Sequence, residues 1–166
     1  MNYPFKLGEY SRPITVSNPE AQNWFDRGLA WVYGFNHEEG ATCFRRAVEI
    51  DPNCAMAHWG IALASGPFYN LPWEWLSENE AETMLLTCHN AVQQALERSD
   101  DVAPAEKALI HALSQRYPVD QVISIEECQQ WDNAYADAMR AVHADFPDDF
   151  DVIALFAEAM MTRTPW

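Results

Sequence analysis

The sequence predicts an all-α protein of stacked antiparallel helical hairpins, with about seven helices. Three observations predict it. Apolar residues recur at spacings of three and four, the period of one helix face, through most of the chain. Caps and prolines interrupt that period repeatedly. No convincing alternation of a strand appears, and residues 119–125 form the only short β-like stretch. The 166 residues, 49% hydrophobic, provide material for one core. Seven tryptophans and 13% aromatic content set the chain apart from acidic disordered sequences.

The elements follow in order. Residues 1–17 are broken by Pro4, Gly8 and Pro13 and are expected to form an extended arm. The arm precedes a helical domain over residues 18–166. Asn18 and Pro19 open the first helix, because a proline at the first helical position forfeits no hydrogen bond. Trp24, Gly28, Trp31, Val32 and Phe35 are expected on its packed face, and Gly34 weakens its end. Asn36 with Glu39 resembles a capping box and starts a second helix with Ala41, Phe44, Ala47 and Val48 inward. Asp51 and Pro52 are expected to cap and start a third helix through Ala55, Ile61, Ala62 and Ser65.

The segment Gly66 to Ser77 differs, with two prolines, four aromatics and no helical period. Ser77 and Glu80 form a capping box for a long helix with Ala81, Leu85, Cys88, Val92 and Ala95 on one face. A fifth helix carries Ala105, Ala108, Leu109, Ala112 and Leu113 from Pro104. Ser124 and Glu127 box the sixth, with Cys128, Trp131, Tyr135, Ala138 and Val142 inward. The seventh places Val152, Leu155, Phe156, Ala159 and Met160 inward. Its apolar face has no helix after it, so a longer native chain or a second copy through this helix is expected to cover it.

Paired helices raise the question of an internal repeat. Ala21 and Ala55, Trp24 and His58, and Gly28 and Ala62 each lie 34 residues apart. Trp24, Gly28, Trp31, Gly40, Phe44, Ala47 and Pro52 follow an order of large, small, large, small, aromatic, small and proline. On these residues the chain resembles the tetratricopeptide-repeat proteins. The match is strong over residues 21–52, fair over 53–63 and degenerate beyond, where the units exceed 34 residues. The stretch WVYGFNHEEGATCFRRAVEIDPNCAMAHWGIALASGPFYN is also similar to a bacterial group of longer repeat proteins. The resemblance implies a superhelix of hairpins that binds a protein or peptide in a groove.

Charge narrows the partners. A net charge of −15 and a pI near 4.5 exclude nucleic acid and anionic membrane surfaces, which need clustered Lys and Arg. A basic or neutral protein or peptide fits instead. No apolar run is long enough to cross a membrane, and the first ten residues lack the pattern of a secretory signal. Cys43, Cys54, Cys88 and Cys128 form no CxxC pair and read as small buried thiols of a cytoplasmic protein.

Candidate site residues fall in three groups. Trp24, Arg27, Trp31, His58 and Trp59 are candidates for a peptide groove lined by the helices that start near Pro19, Pro52, Pro104 and Asp149. Asn36 and His37 sit at the first hairpin turn. Tyr69, Asn70 and Trp73, with Phe68, Glu74 and Trp75, belong to the aromatic segment, either a hydrophobic cover or a ligand contact. A scaffold that binds peptide is the first reading. The alternative is a metal- or small-molecule-binding enzyme using the hairpin turn and the aromatic segment, with His37, Cys54 and His58 in its service. Cys54 and His58 share one helix face. Yet no zinc-binding motif, phosphate loop or nucleophile elbow is present, so packing explains these side chains first and no cofactor or catalytic residue is assigned.

Overall fold

In the computed structural model, residues 3–121 and 124–164 are described. Among them are seven α-helices and no strand: α1 (Pro19–Tyr33), α2 (His37–Ile50), α3 (Ala55–Ser65), α4 (Glu78–Leu96), α5 (Pro104–Ser114), α6 (Ile125–Asp145) and α7 (Phe150–Thr162). Each helix packs on the next, and α1, α3 and α5 also pack successively on one another. The result is an all-α stack of helical hairpins. Residues 122, 123 and 166 lie outside the described residues, and with them part of the β-like stretch and the terminal Trp166.

The caps explain the boundaries. Asn18 accepts the Glu20 N–H, and Pro19 follows at the first helical position. Ser77 and Glu80 close a reciprocal capping box on α4. Ser124 caps α6, and Asp149 caps α7 by accepting the Asp151 and Val152 N–H groups. Such caps stabilise by about 1 kcal/mol each. Asp51 and Pro52 depart from expectation. Asp51 is the residue after α2, and α3 starts three residues beyond Pro52, behind Cys54. The Asp51 carboxylate is diverted from capping α3 because it accepts the N–H and hydroxyl of Ser17 at 2.7 and 2.8 Å.

The core centres on close approach. The Phe44 ring lies against both Gly28 of α1 and Gly60 of α3, and a Cβ at Gly28 would fall 2.5 Å from it. Phe25, Leu29, Trp59, Leu85, Leu109, Leu113, Tyr135 and Met139 are fully enclosed in the same core. Burying each large apolar side chain is worth about 1.5–3 kcal/mol. The packed face of α1 is Ala21, Phe25, Gly28 and Leu29, one step round from the expected Trp24, Trp31 and Phe35. Trp24 packs partly on the core and partly on the arm, Trp31 is half-buried under the arm, and Phe35 lies beyond the helix end.

That arm contacts four helices. Tyr3 meets Trp24 edge-on and accepts the Trp31 indole N–H at 2.5 Å. The Arg12 backbone N–H donates to the Asp26 carboxylate of α1. The Arg12 guanidinium donates to Asp149 and Asp151 at the head of α7, at 2.7 and 3.0 Å. Tyr10 and Tyr33 both donate to Asp151. Thr15 donates twice to Glu106 of α5, and Ser17 to Asp51 at the end of α2. The arm therefore latches α7 to α1 and α5.

Candidate functional site

The site grows from how α1 ends. The Asn36 N–H bonds the Trp31 carbonyl and the Phe35 N–H bonds the Val32 carbonyl, both at 2.9 Å. This pair closes the helix with its next residue in the left-handed region, a place usually filled by glycine. Here the glycine comes one residue early, at Gly34, and Phe35 takes the position with φ 61°. A bulky side chain there is strained by about 1–2 kcal/mol. Its ring is held outward, 68% exposed. Asn36 then caps α2 by accepting the Glu39 N–H, which fixes His37 in the first turn.

The aromatic segment folds back onto this turn. Phe68 and Leu71 exchange two backbone hydrogen bonds in a tight loop. The Phe68 ring stacks on His37 with centroids 3.9 Å apart and planes 12° from parallel. Between this stack and α7 lies a cavity of about 220 Å³. Val32, Tyr33 and Phe35 close one side, Leu63, Pro67, Phe68 and Tyr69 another, and Ala154, Leu155, Ala157, Glu158 and Met161 of α7 a third. Arg116, just past α5, completes the wall.

Most of this wall is apolar, and its charges are few. Arg116 is 1% exposed. Its Nε donates to Asp132 of α6 at 2.6 Å, and Nη2 is buried without an acceptor. The guanidinium also lies over the rings of Tyr117 and Tyr135. Burial raises the Asp132 carboxyl, opposed by Arg116. Burial likewise raises Glu158, opposed by Arg116 and by the Tyr69 N–H. Burial lowers His37, which favours its neutral imidazole. The arrangement suits a compact apolar guest with one polar end. It sets no nucleophile against a base.

The sequence candidates separate into three places. His37 and Tyr69 meet at the cavity. Asn36 and Asn70 stand nearby but exposed, outside its wall, and Glu74 turns to Gln129 of α6. Trp24, Arg27 and Trp31 do cluster, but under the arm, with Arg27 over the Tyr3 and Trp24 rings at 4.5 and 4.6 Å. Trp59 and Trp73 are each 1% exposed and belong to the core, where the Trp59 indole donates to the Leu109 carbonyl. His58 bonds the Pro52 carbonyl at 3.0 Å, at the opposite end of α3 from the cavity. Among the described residues no group of three His, Cys, Asp or Glu side chains can hold a metal ion, and His37 stands apart from Cys54 and His58. The four cysteines are buried and form no disulfide, and burial pushes Cys54 up to about 11 and Cys88 to about 12.

Sequence reasoning missed Arg116, Glu158 and the outward role of Phe35. One signal existed for Glu158: it is a lone acid in the apolar run IALFAEAMM. None existed for Arg116, whose neighbours in the chain say nothing of its burial. No helix is long and apolar enough to cross a membrane among the described residues. Compared with known proteins, the chain matches no family model, no curated protein and no solved structure.

Proposed function

We propose that this protein is a helical-hairpin scaffold of the tetratricopeptide kind that binds a small, ring-sized, largely apolar molecule. The site is the cavity between the first hairpin turn, the aromatic loop and α7. The single observation that carries this reading is the cavity itself: about 220 Å³, walled by aromatic side chains, with a strained Phe35 held at its rim. An apolar cavity of about 150 Å³ holds benzene, so this one has room for a ring and a short side chain. Strained backbone at a ligand contact is a recurring feature of binding sites.

A peptide groove has less support. Residues 10–17 of the chain itself bond to α1, α5 and α7, three of the four helices expected to line such a groove. A peptide would have to displace the arm first.

The test is titration with a neutral ring compound, 2-phenylethanol, followed by NMR. Saturable binding with shifts confined to Phe35, Phe68, Tyr69 and α7 is the expected result. Ala157→Trp, at an exposed position on the cavity wall, should abolish it while thermal unfolding stays unchanged. Binding that survives this substitution places the ligand elsewhere and overturns the proposal.

A further inference from the structure

The charge of the guest can be read from the charges of the wall. Two charged side chains line the cavity, Arg116 and Glu158, and Asp132 of α6 pairs with Arg116 from outside the lining. The Arg116 charge is already committed. Asp132 holds it at 2.6 Å, with both side chains buried, and it is the carboxylate at ion-pair distance from Arg116 among the described residues. Glu158 differs from Asp132. It is half-buried, it lines the cavity directly, and no Lys or Arg lies within ion-pair distance of it among the described residues. His37, also in the wall, is held toward its neutral form by burial, and burial raises the Tyr33 hydroxyl, which stays neutral. Tyr135 adds no charge at neutral pH.

The ledger has one sign. With Glu158 ionised, one guanidinium faces two carboxylates, and a monocation brings the site to neutrality. An anionic guest would add a third negative charge against a single positive one. A carboxylate that burial penalises gains most from a cation brought into the same low-dielectric space. The remaining wall reinforces this choice, since the Phe35, Phe68, Tyr69 and Tyr33 rings surround the space and the faces of aromatic rings attract cations. The net charge of −15 raises the local concentration of cations around the whole molecule.

We infer that the cavity binds a small aryl- or alkyl-amine as its ammonium form, with Glu158 as the counter-ion and the aromatic loop around its apolar body. This rests on the small-molecule reading above and assigns that reading its ligand class. Arg116 and Asp132 are positioning residues, a neutral pair that fixes the floor of the site.

Three compounds of one size separate the possibilities: 2-phenylethylamine, 2-phenylethanol and phenylacetate. Calorimetric titration of the full chain at neutral pH should rank them amine, alcohol, acid, with the amine about tenfold tighter than the alcohol. Glu158→Gln should erase the preference for the amine. Asp101→Asn, which removes an exposed carboxylate far along the chain, should change neither. The preference should persist in about 0.5 M salt, where diffuse attraction to an acidic surface is screened. Equal binding of amine and alcohol, or a preference unaffected by Glu158→Gln, overturns the inference and leaves the cavity reading standing. Failure of all three compounds to bind overturns both.

Discussion

Two buried arginines, Arg12 and Arg116, make different things of the same chemistry. Arg12 reaches two carboxylates at the start of α7, Asp149 and Asp151. Arg116 engages one carboxylate, Asp132 of α6. Each also buries one N–H without an acceptor, Nε in Arg12 and Nη2 in Arg116. An unmet donor therefore does not distinguish a latch from a site. Space does. Around Arg12 the arm closes tightly on α1 and α7, and Tyr10 and Tyr33 take up the remaining capacity of Asp151. Around Arg116 the aromatic loop and α7 stand apart and leave a cavity.

The largest effect should come from breaking the Arg116 pair. Asp132→Asn leaves a guanidinium uncompensated in the core and should cost about 3–5 kcal/mol in denaturant unfolding. Replacing both partners by apolar residues, Arg116→Met with Asp132→Leu, should recover most of that loss. If Asp132→Asn is instead as mild as a surface change, Arg116 is not committed to Asp132 and the two regions are alike.

Removing the latch should be milder. Arg12→Ala removes charged hydrogen bonds worth about 2 kcal/mol, and the two aspartates keep their roles at the head of α7. Hydrogen exchange should show faster amides over residues 10–17 with the cavity end unchanged. The two regions should also answer pH with opposite signs. Burial works against the Asp149 carboxylate, but hydrogen bonds from Arg12 and the α7 N–H groups outweigh it and hold its pKa below the usual range. Its contribution is present above the unfolded value of about 3.9 and is lost as pH falls through the folded value. Glu158, raised by burial against Arg116, and facing Asp132 and Tyr135 as well, contributes below its unfolded value of about 4.3. That contribution is lost as pH rises through its folded value. Acid should therefore loosen the arm before it loosens the cavity end.

The smallest effect in energy concerns Phe35. Phe35→Gly should stabilise the fold by about 1 kcal/mol, because glycine accepts a positive φ freely. The same change should weaken binding of 2-phenylethylamine by removing a ring from the rim. A gain in stability without loss of binding would make Phe35 a mere irregularity of the turn.

How much of this was readable in the chain differs from residue to residue. Ser77 and Glu80 announced their helix start, because a capping box is local chemistry. The face of α4 through Ala81, Leu85, Cys88 and Val92 was equally plain, since period alone decides it. The helical spacing of Trp24 and Trp31 puts both on one face, yet it does not say that this stripe meets a second surface besides the core. The arm settled that through Tyr3 and Phe5. Asp51 looked like a cap until Ser17, 34 residues earlier, claimed its carboxylate.

The sequence by itself determined the helices, their order and most of their caps, because period and capping act over three or four residues. It also determined that an aromatic segment and a hairpin turn were the unusual places. Only the tertiary structure decided that His37 stacks on Phe68, that Arg116 is buried against Asp132, and that Glu158 opens on the space between them. Those contacts join residues from α2, the aromatic loop, the turn after α5, α6 and α7. Their energies depend on burial, which no neighbour in the chain reports.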